Sequence, residues 1–121
     1  ALGALPDGVH VLEHCPLHLL LPSCDAVIHH GGAGTTMTAA ASGLPQLAMA
    51  CAMDQFLNSR RVAASGAGLA LPAHAADVAG VRQAVGRLLH GPGHRAAARR
   101  MREEMLRMPA PSRVAEVLTA G

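Results

Sequence analysis

The chain has 121 residues, the size of a single domain, with half of them apolar, 15% charged and a net charge of +2. That balance excludes a chain held disordered by its own charge, and no apolar run reaches the ~18 residues that a membrane span needs. One Phe, no Tyr and no Trp exclude the aromatic platforms on which single-stranded nucleic acid stacks. No Arg/Lys-led apolar stretch opens the sequence, so no secretory signal is expected there.

Cys15, Cys24 and Cys51 are odd in number and widely spaced. They do not suggest a disulfide scaffold, and a reducing, cytoplasmic setting is the expectation. Every cation is an arginine, and none precedes Arg60, whereas Asp7, Glu13, Asp25 and Asp54 all do. A basic second half raises the question of nucleic acid. However, Arg95, Arg99, Arg100, Arg102 and Arg107 recur at helical spacing among Glu103 and Glu104. That is the pattern of a solvated helix face, so no nucleic-acid partner is expected.

In chain order, Val9 to Leu12 reads as a strand after the turn signal Pro6-Asp7-Gly8. Pro16 to Leu21 reads as one or two helical turns closed by Pro22, and Ala26 to His29 as a buried strand. A helix of small residues follows over Thr35 to Ser42, ended by Gly43 and Pro45. Gln46 to Met49 is a strand, a helix starts at Asp54 and stops before Gly66 and Gly68, and Leu69 to Leu71 is a short strand. Val78, Val81, Val85 and Leu88 form one helical face, as do Ala97, Met101, Met105 and Met108. Val114, Val117 and Leu118 mark a final short helix. Strands alternating with helices predict an α/β fold with a parallel, Rossmann-like sheet, helices on both faces, and ligands at the strands' carboxyl ends.

The stretch Val27-Ile28-His29-His30-Gly31-Gly32-Ala33-Gly34-Thr35-Thr36 is therefore the most informative. A strand enters a turn without bulky side chains and a helix begins at once, so backbone N–H groups and the helix dipole face any ligand. This is an anion site, to which Thr35 and Thr36 can add hydroxyls or a cap. The absence of any lysine excludes a P-loop, and the third glycine of a dinucleotide fingerprint is missing near Met37. Charge must be met by N–H groups and imidazole. Adjacent strand-end residues point to opposite sides, so His29 and His30 are not expected to share a metal ion. One imidazole should face the loop and the other the fold.

His30-Gly31-Gly32-Ala33-Gly34-Thr35, then Gly43-Leu44-Pro45-Gln46, then Asp54-Gln55-Phe56-Leu57-Asn58 together resemble the donor-binding half of a GT-B glycosyltransferase. Within that class the chain is similar to the bacterial enzymes that move deoxysugars from nucleoside diphosphates onto macrolides and aromatic polyketides. The resemblance runs through nearly all of residues 1–121 and implies the distal part of the donor domain. It implies that His30, Gly31, Gly32, Gly34 and Thr35 hold the donor diphosphate, and that Asp54 and Gln55 hydrogen-bond sugar hydroxyls. An acid and an amide suit a neutral polyol, although Asp54 could equally be a helix N-cap. His14, Pro16 and Leu17 fall where the family meets the nucleoside; His14 stands where many relatives carry a stacking Trp. No metal or other cofactor is implied: the substrate is a dTDP or UDP sugar.

The acceptor pocket and the general base of such enzymes lie in an N-terminal domain not represented here. No catalytic residue is therefore assigned, and the chain alone is expected not to turn over. The natural-product acceptor would be reached through that other domain, with a homodimer or an activator protein as further partners. Rival readings are an N-acetylglucosaminyl transferase acting on a cell-wall lipid carrier, a non-catalytic nucleotide-sugar-binding module, and a purely structural domain. If Val9–Leu12 and Ala26–His29 are the third and fourth strands of a 3-2-1-4-5-6 sheet, two strands should lie between them. An unpaired edge at Ala26–His29 then invites another copy, the rest of an enzyme, or a rearrangement that brings Val9–Leu12 alongside.

Overall fold

The computed structural model describes residues 3–120. Three short strands, β1 (Val27–His29), β2 (Gln46–Ala48) and β3 (Gly68–Ala70), form a parallel sheet in that order. Val27 pairs with Gln46 and Gln46 with Gly68, so the strands start level and end level. β2 is buried along its whole length, with Leu47 and Ala48 both at 0% exposure. A centre strand covered on both sides cannot alternate polar with apolar, which is why Leu47 reads as part of a continuous apolar run.

Helix α1 (Leu17–Leu20) runs into a 3-10 turn over Leu21–Ser23, and α2 (Ala33–Ala41) and α3 (Gln55–Ala64) are the crossovers linking the strands. These two helices touch each other and share the face on which right-handed crossovers place them. The longer α4 (Val78–His90) packs on β2 and β3 and covers the other face. Asp77 caps α4, its carboxylate accepting from the Gly80 N–H. Helix α5 (His94–Arg107) passes under the strands' starting ends, where Ala97 and Ala98 pack on Ala67. Small side chains let these backbones approach closely. A second cluster, Leu21, Ala39 and Leu44, seals α1 and α2 against the entry to β2. The last helix, α6 (Pro111–Thr119), contains no buried residue.

The strands and helices expected from the sequence form, with ends displaced by one to three residues, save for the first strand. Val9–Leu12 is not a strand: Val9, Val11 and Leu12 are 51%, 63% and 60% exposed, and no ladder includes them. An extended segment becomes a strand only with a hydrogen-bonded neighbour, and β2 is β1's sole neighbour among the described residues. The rearrangement that would seat Val9–Leu12 beside β1 therefore does not occur. Helix α2 starts two residues earlier than expected because Gly32, not a threonine, occupies its N-cap.

Candidate functional site

All three strands end on one side, and the turns after β1 and β2 meet there. Gly31 has φ +89°, a conformation that glycine adopts without steric cost. It is buried against the first turns of α3: a side chain at 31 would meet the Gln55 carbonyl and the Ser59 hydroxyl, each at 2.9 Å. Asn58 Nδ2 donates to the Gly31 carbonyl at 2.9 Å. The glycine turn and the Asp54–Asn58 segment, separate in sequence, are thereby one structure.

The two imidazoles part company. The His29 ring is half-buried and engaged at both nitrogens, with Gly31 N–H donating to Nδ1 at 2.9 Å and Nε2 lying 2.7 Å from Gln46 Oε1. Its pKa is lowered, chiefly by burial and further by the nearby His30, against the opposing hydrogen bond to Gln46. His30 is exposed and its ring folds over Gly32, where an added Cβ would lie 2.7 Å from Nε2. It thus stands at the mouth of α2, whose leading N–H groups have no intrahelical acceptor.

Thr36 returns both its N–H and its hydroxyl to the Gly32 carbonyl, at 2.9 and 2.7 Å. This hydroxyl is spent inside the helix, so of the two threonines Thr35 is left to face a ligand. Neither caps α2.

Asp54 occupies the N-cap position of α3, but its backbone is helical and its carboxylate makes no capping bond. The exposed carboxylate is free to bind. Gln55 is partly committed: Oε1 accepts from the N–H groups of Cys51 and Ala52 at 2.9 and 3.1 Å. That bracing shapes the turn after β2 and leaves its amide N–H₂ for another partner. The same turn is tied to β1 by Met49 N–H donating to the His29 carbonyl at 2.7 Å.

His14, Pro16 and Leu17 are exposed at the approach to α1, which packs on α2. His14 has a positive φ of 55°. Among the described residues no hydrogen bond ties these three to the glycine turn.

The sequence reading missed two features. Asn58 and Ser59 brace Gly31 directly and Gln46 does so only through His29; the signal was a polar face of α3 at positions 55, 58 and 59 aimed at a strand end. Arg61 also lines a hollow of about 330 Å³ with Ala33 and Thr36, which puts a cationic residue of the second half beside α2. A larger hollow, about 690 Å³, lies between α1, α2 and α5 around His18, Arg99 and Arg102, away from the carboxyl ends of the strands. Among the described residues no group of three His, Cys, Asp or Glu side chains is placed to hold a metal ion, and no helix is long and apolar enough to cross a membrane.

A parallel sheet whose strand-end glycine turn opens into a helix N-terminus defines a Rossmann-like domain. Residues 1–120 match the family described as erythromycin biosynthesis protein CIII-like, C-terminal domain, and the chain belongs to it. It is 47% identical over 117 residues to aklavinone 7-beta-L-rhodosaminyltransferase of Streptomyces galilaeus, covering 97% of this chain and 26% of that protein. It is 48% identical over 120 residues to L-demethylnoviosyl transferase of Streptomyces niveus, covering 98% of this chain and 31% of that one. Spinosyn rhamnosyltransferase SpnG complexed with thymidine diphosphate superposes with a TM-score of 0.90 at 37% identity, over 98% of this chain and 32% of its own. The chain thus spans between about a quarter and a third of these proteins. The fold is that of the C-terminal domain of GT-B glycosyltransferases.

Proposed function

We propose that this chain is the donor-binding part of a glycosyltransferase that moves a deoxyhexose from a dTDP or UDP sugar to a hydroxyl of a natural-product acceptor, with inversion. The observation that carries the reading is the Gly31–Gly32 turn, which leaves the first N–H groups of α2 open beneath the exposed His30 ring. The names of the relatives, and the thymidine diphosphate in the SpnG complex, support it.

In this mechanism a base from another domain deprotonates the acceptor hydroxyl, which attacks the anomeric carbon opposite the leaving diphosphate. Gly32, Gly34 and Thr35 cradle the diphosphate, Gly31 forms the bend behind them with its own N–H and carbonyl already bonded, and His30 donates to the anion as negative charge develops. No metal ion is required, since N–H groups, imidazole and the Thr35 hydroxyl supply the donors. Asp54 and the free Gln55 amide hold sugar hydroxyls, and His14, Pro16 and Leu17 flank the nucleoside. The acceptor binds mainly to the other domain, and a second copy or an activator protein completes the assembly in a cytoplasmic setting.

Calorimetric titration with dTDP, UDP, GDP and ADP, with and without a chelator, tests the reading. It expects dTDP or UDP to bind best and the chelator to change nothing. Equal, weak binding of all four would overturn it.

A further inference from the structure

His29 sits beside the proposed diphosphate site with both ring nitrogens already bonded within the protein, and the donor-binding reading gives it no task. Its Nδ1 receives the Gly31 N–H and so carries no proton; Nε2 therefore bears the hydrogen and donates to Gln46 Oε1. Gln46, 1% exposed, is itself fixed by donating from Nε2 to the Thr36 carbonyl at 3.3 Å. One chain of hydrogen bonds thus runs from α2 through Gln46 and His29 to the glycine turn.

Gly31 is gripped on both sides. Its N–H belongs to the peptide that joins it to His30, and its carbonyl to the peptide that joins it to Gly32. His29 holds the first and Asn58 the second. The first grip aims His30; the second aims the N-cap of α2. We propose that His29 is a positioning residue for the donor diphosphate, its neutral Nε2–H form locking Gly31 so that His30 and the α2 N–H groups converge on one anion. The inference rests on the donor-binding reading.

A side chain accepting from the N–H two residues ahead has the geometry of an Asx-turn, which Asn and Asp make readily. Asparagine at 29 can therefore keep the grip, while alanine cannot. Protonation abolishes it in the wild type, because Nδ1 then bears a hydrogen facing the Gly31 N–H. The groups around the ring are the neutral Gln46 amide from β2 and His30 from its own strand end, whose charge opposes that protonation.

The test is calorimetric titration of dTDP into the intact polypeptide and its H29N and H29A variants, from pH 7.5 to 5. At pH 7.5, H29A is expected to bind about three- to tenfold more weakly than wild type, the worth of one lost hydrogen bond, with H29N, which also lacks the bond to Gln46 but keeps the grip on Gly31, recovering most of that loss. On acidification wild type should lose affinity relative to H29N; the comparison cancels the titration of dTDP and of His30, which both proteins share. The inference is overturned if H29N is as weak as H29A, if H29A binds like wild type, or if wild type and H29N run parallel in pH. Should H29A fail to fold, the H29N and pH arms still decide. Wild type that binds no dTDP overturns the donor-binding reading as well, and is thereby distinguished from a failure of the His29 argument alone.

Discussion

Gly31 and Gly34 stand in one turn, and alanine at each tests a different link between structure and function. At Gly31, alanine must adopt φ +89° with its Cβ 2.9 Å from the Gln55 carbonyl oxygen. That oxygen belongs to the backbone of α3 and cannot swing aside as a side chain would. The left-handed conformation costs about 1–2 kcal/mol and the overpacking about 1–3, hence about 2–5 kcal/mol together. In a chain of this size the loss lowers Tm by about 10 °C or more. At Gly34 no atom of the described residues lies within 4 Å of an added Cβ, and alanine in a helix gains about 0.5–1 kcal/mol over glycine. If the diphosphate approaches that backbone, however, the methyl obstructs it. Thermal melting and dTDP calorimetry separate the two effects. G31A should melt early, whereas G34A should melt at or above the wild-type temperature yet bind dTDP at least about tenfold more weakly, a loss of ~1.4 kcal/mol. A G31A protein with unchanged Tm would refute the strain argument, and G34A with unimpaired binding would refute close backbone approach.

His30→Ala should leave Tm nearly unchanged, because the ring is exposed, while turnover of the complete enzyme falls by ~10²–10³, as for a lost oxyanion donor; equal activity would exclude that role. Asp54→Ala should remove affinity that a nucleotide sugar has over the bare nucleotide without lowering Tm, since its carboxylate caps nothing. Gln55→Ala should lose that increment and also about 1 kcal/mol of stability, as the Cys51 and Ala52 N–H groups lose their acceptor; melting curves and paired titrations of both ligands check this. His29 has a depressed pKa, so the stability it contributes is full above its unfolded value near ~6.5 and is lost as pH falls through the lower folded value. Wild-type Tm should accordingly drop more than that of H29N between pH 7 and pH 5, and parallel curves would count against the depressed value.

The crossovers were legible because glycine and proline punctuate them: Gly43 and Pro45 end α2 before β2, and Gly66 and Gly68 end α3 before β3. The opposed directions of His29 and His30 followed from strand geometry alone. Val9–Leu12 misled because apolar residues after a turn describe a strand's composition, whereas a strand requires a partner that composition cannot supply. The buttress of Gln46, Asn58 and Ser59 escaped because polar residues on a helix face or in a buried strand read as solvated until the neighbouring turn is in place. Gln55 illustrates the same limit: an amide that looks like a sugar ligand also braces two backbone N–H groups, and only the fold reveals the second task.

A compact monomer of 12.3 kDa exposes about 6,100 Å², whereas this chain exposes 8325 Å². The excess of roughly 2,000 Å² is of the order of one partner's share of a large obligate interface. Much of it is apolar: Val9, Val11 and Leu12 before α1, Ile28 at 51% on the open edge of β1, and Val117 and Leu118 at 65% and 77% on α6. An edge strand with free backbone groups beside such residues pairs readily. The 121 residues expressed alone should therefore associate and bind a hydrophobic dye. Light scattering, melting and dye fluorescence on the same sample check this. A monodisperse 12.3 kDa species with a sharp melt and no dye binding would show that the open edge and α6 are tolerated by water, and that nothing more is needed to cover them.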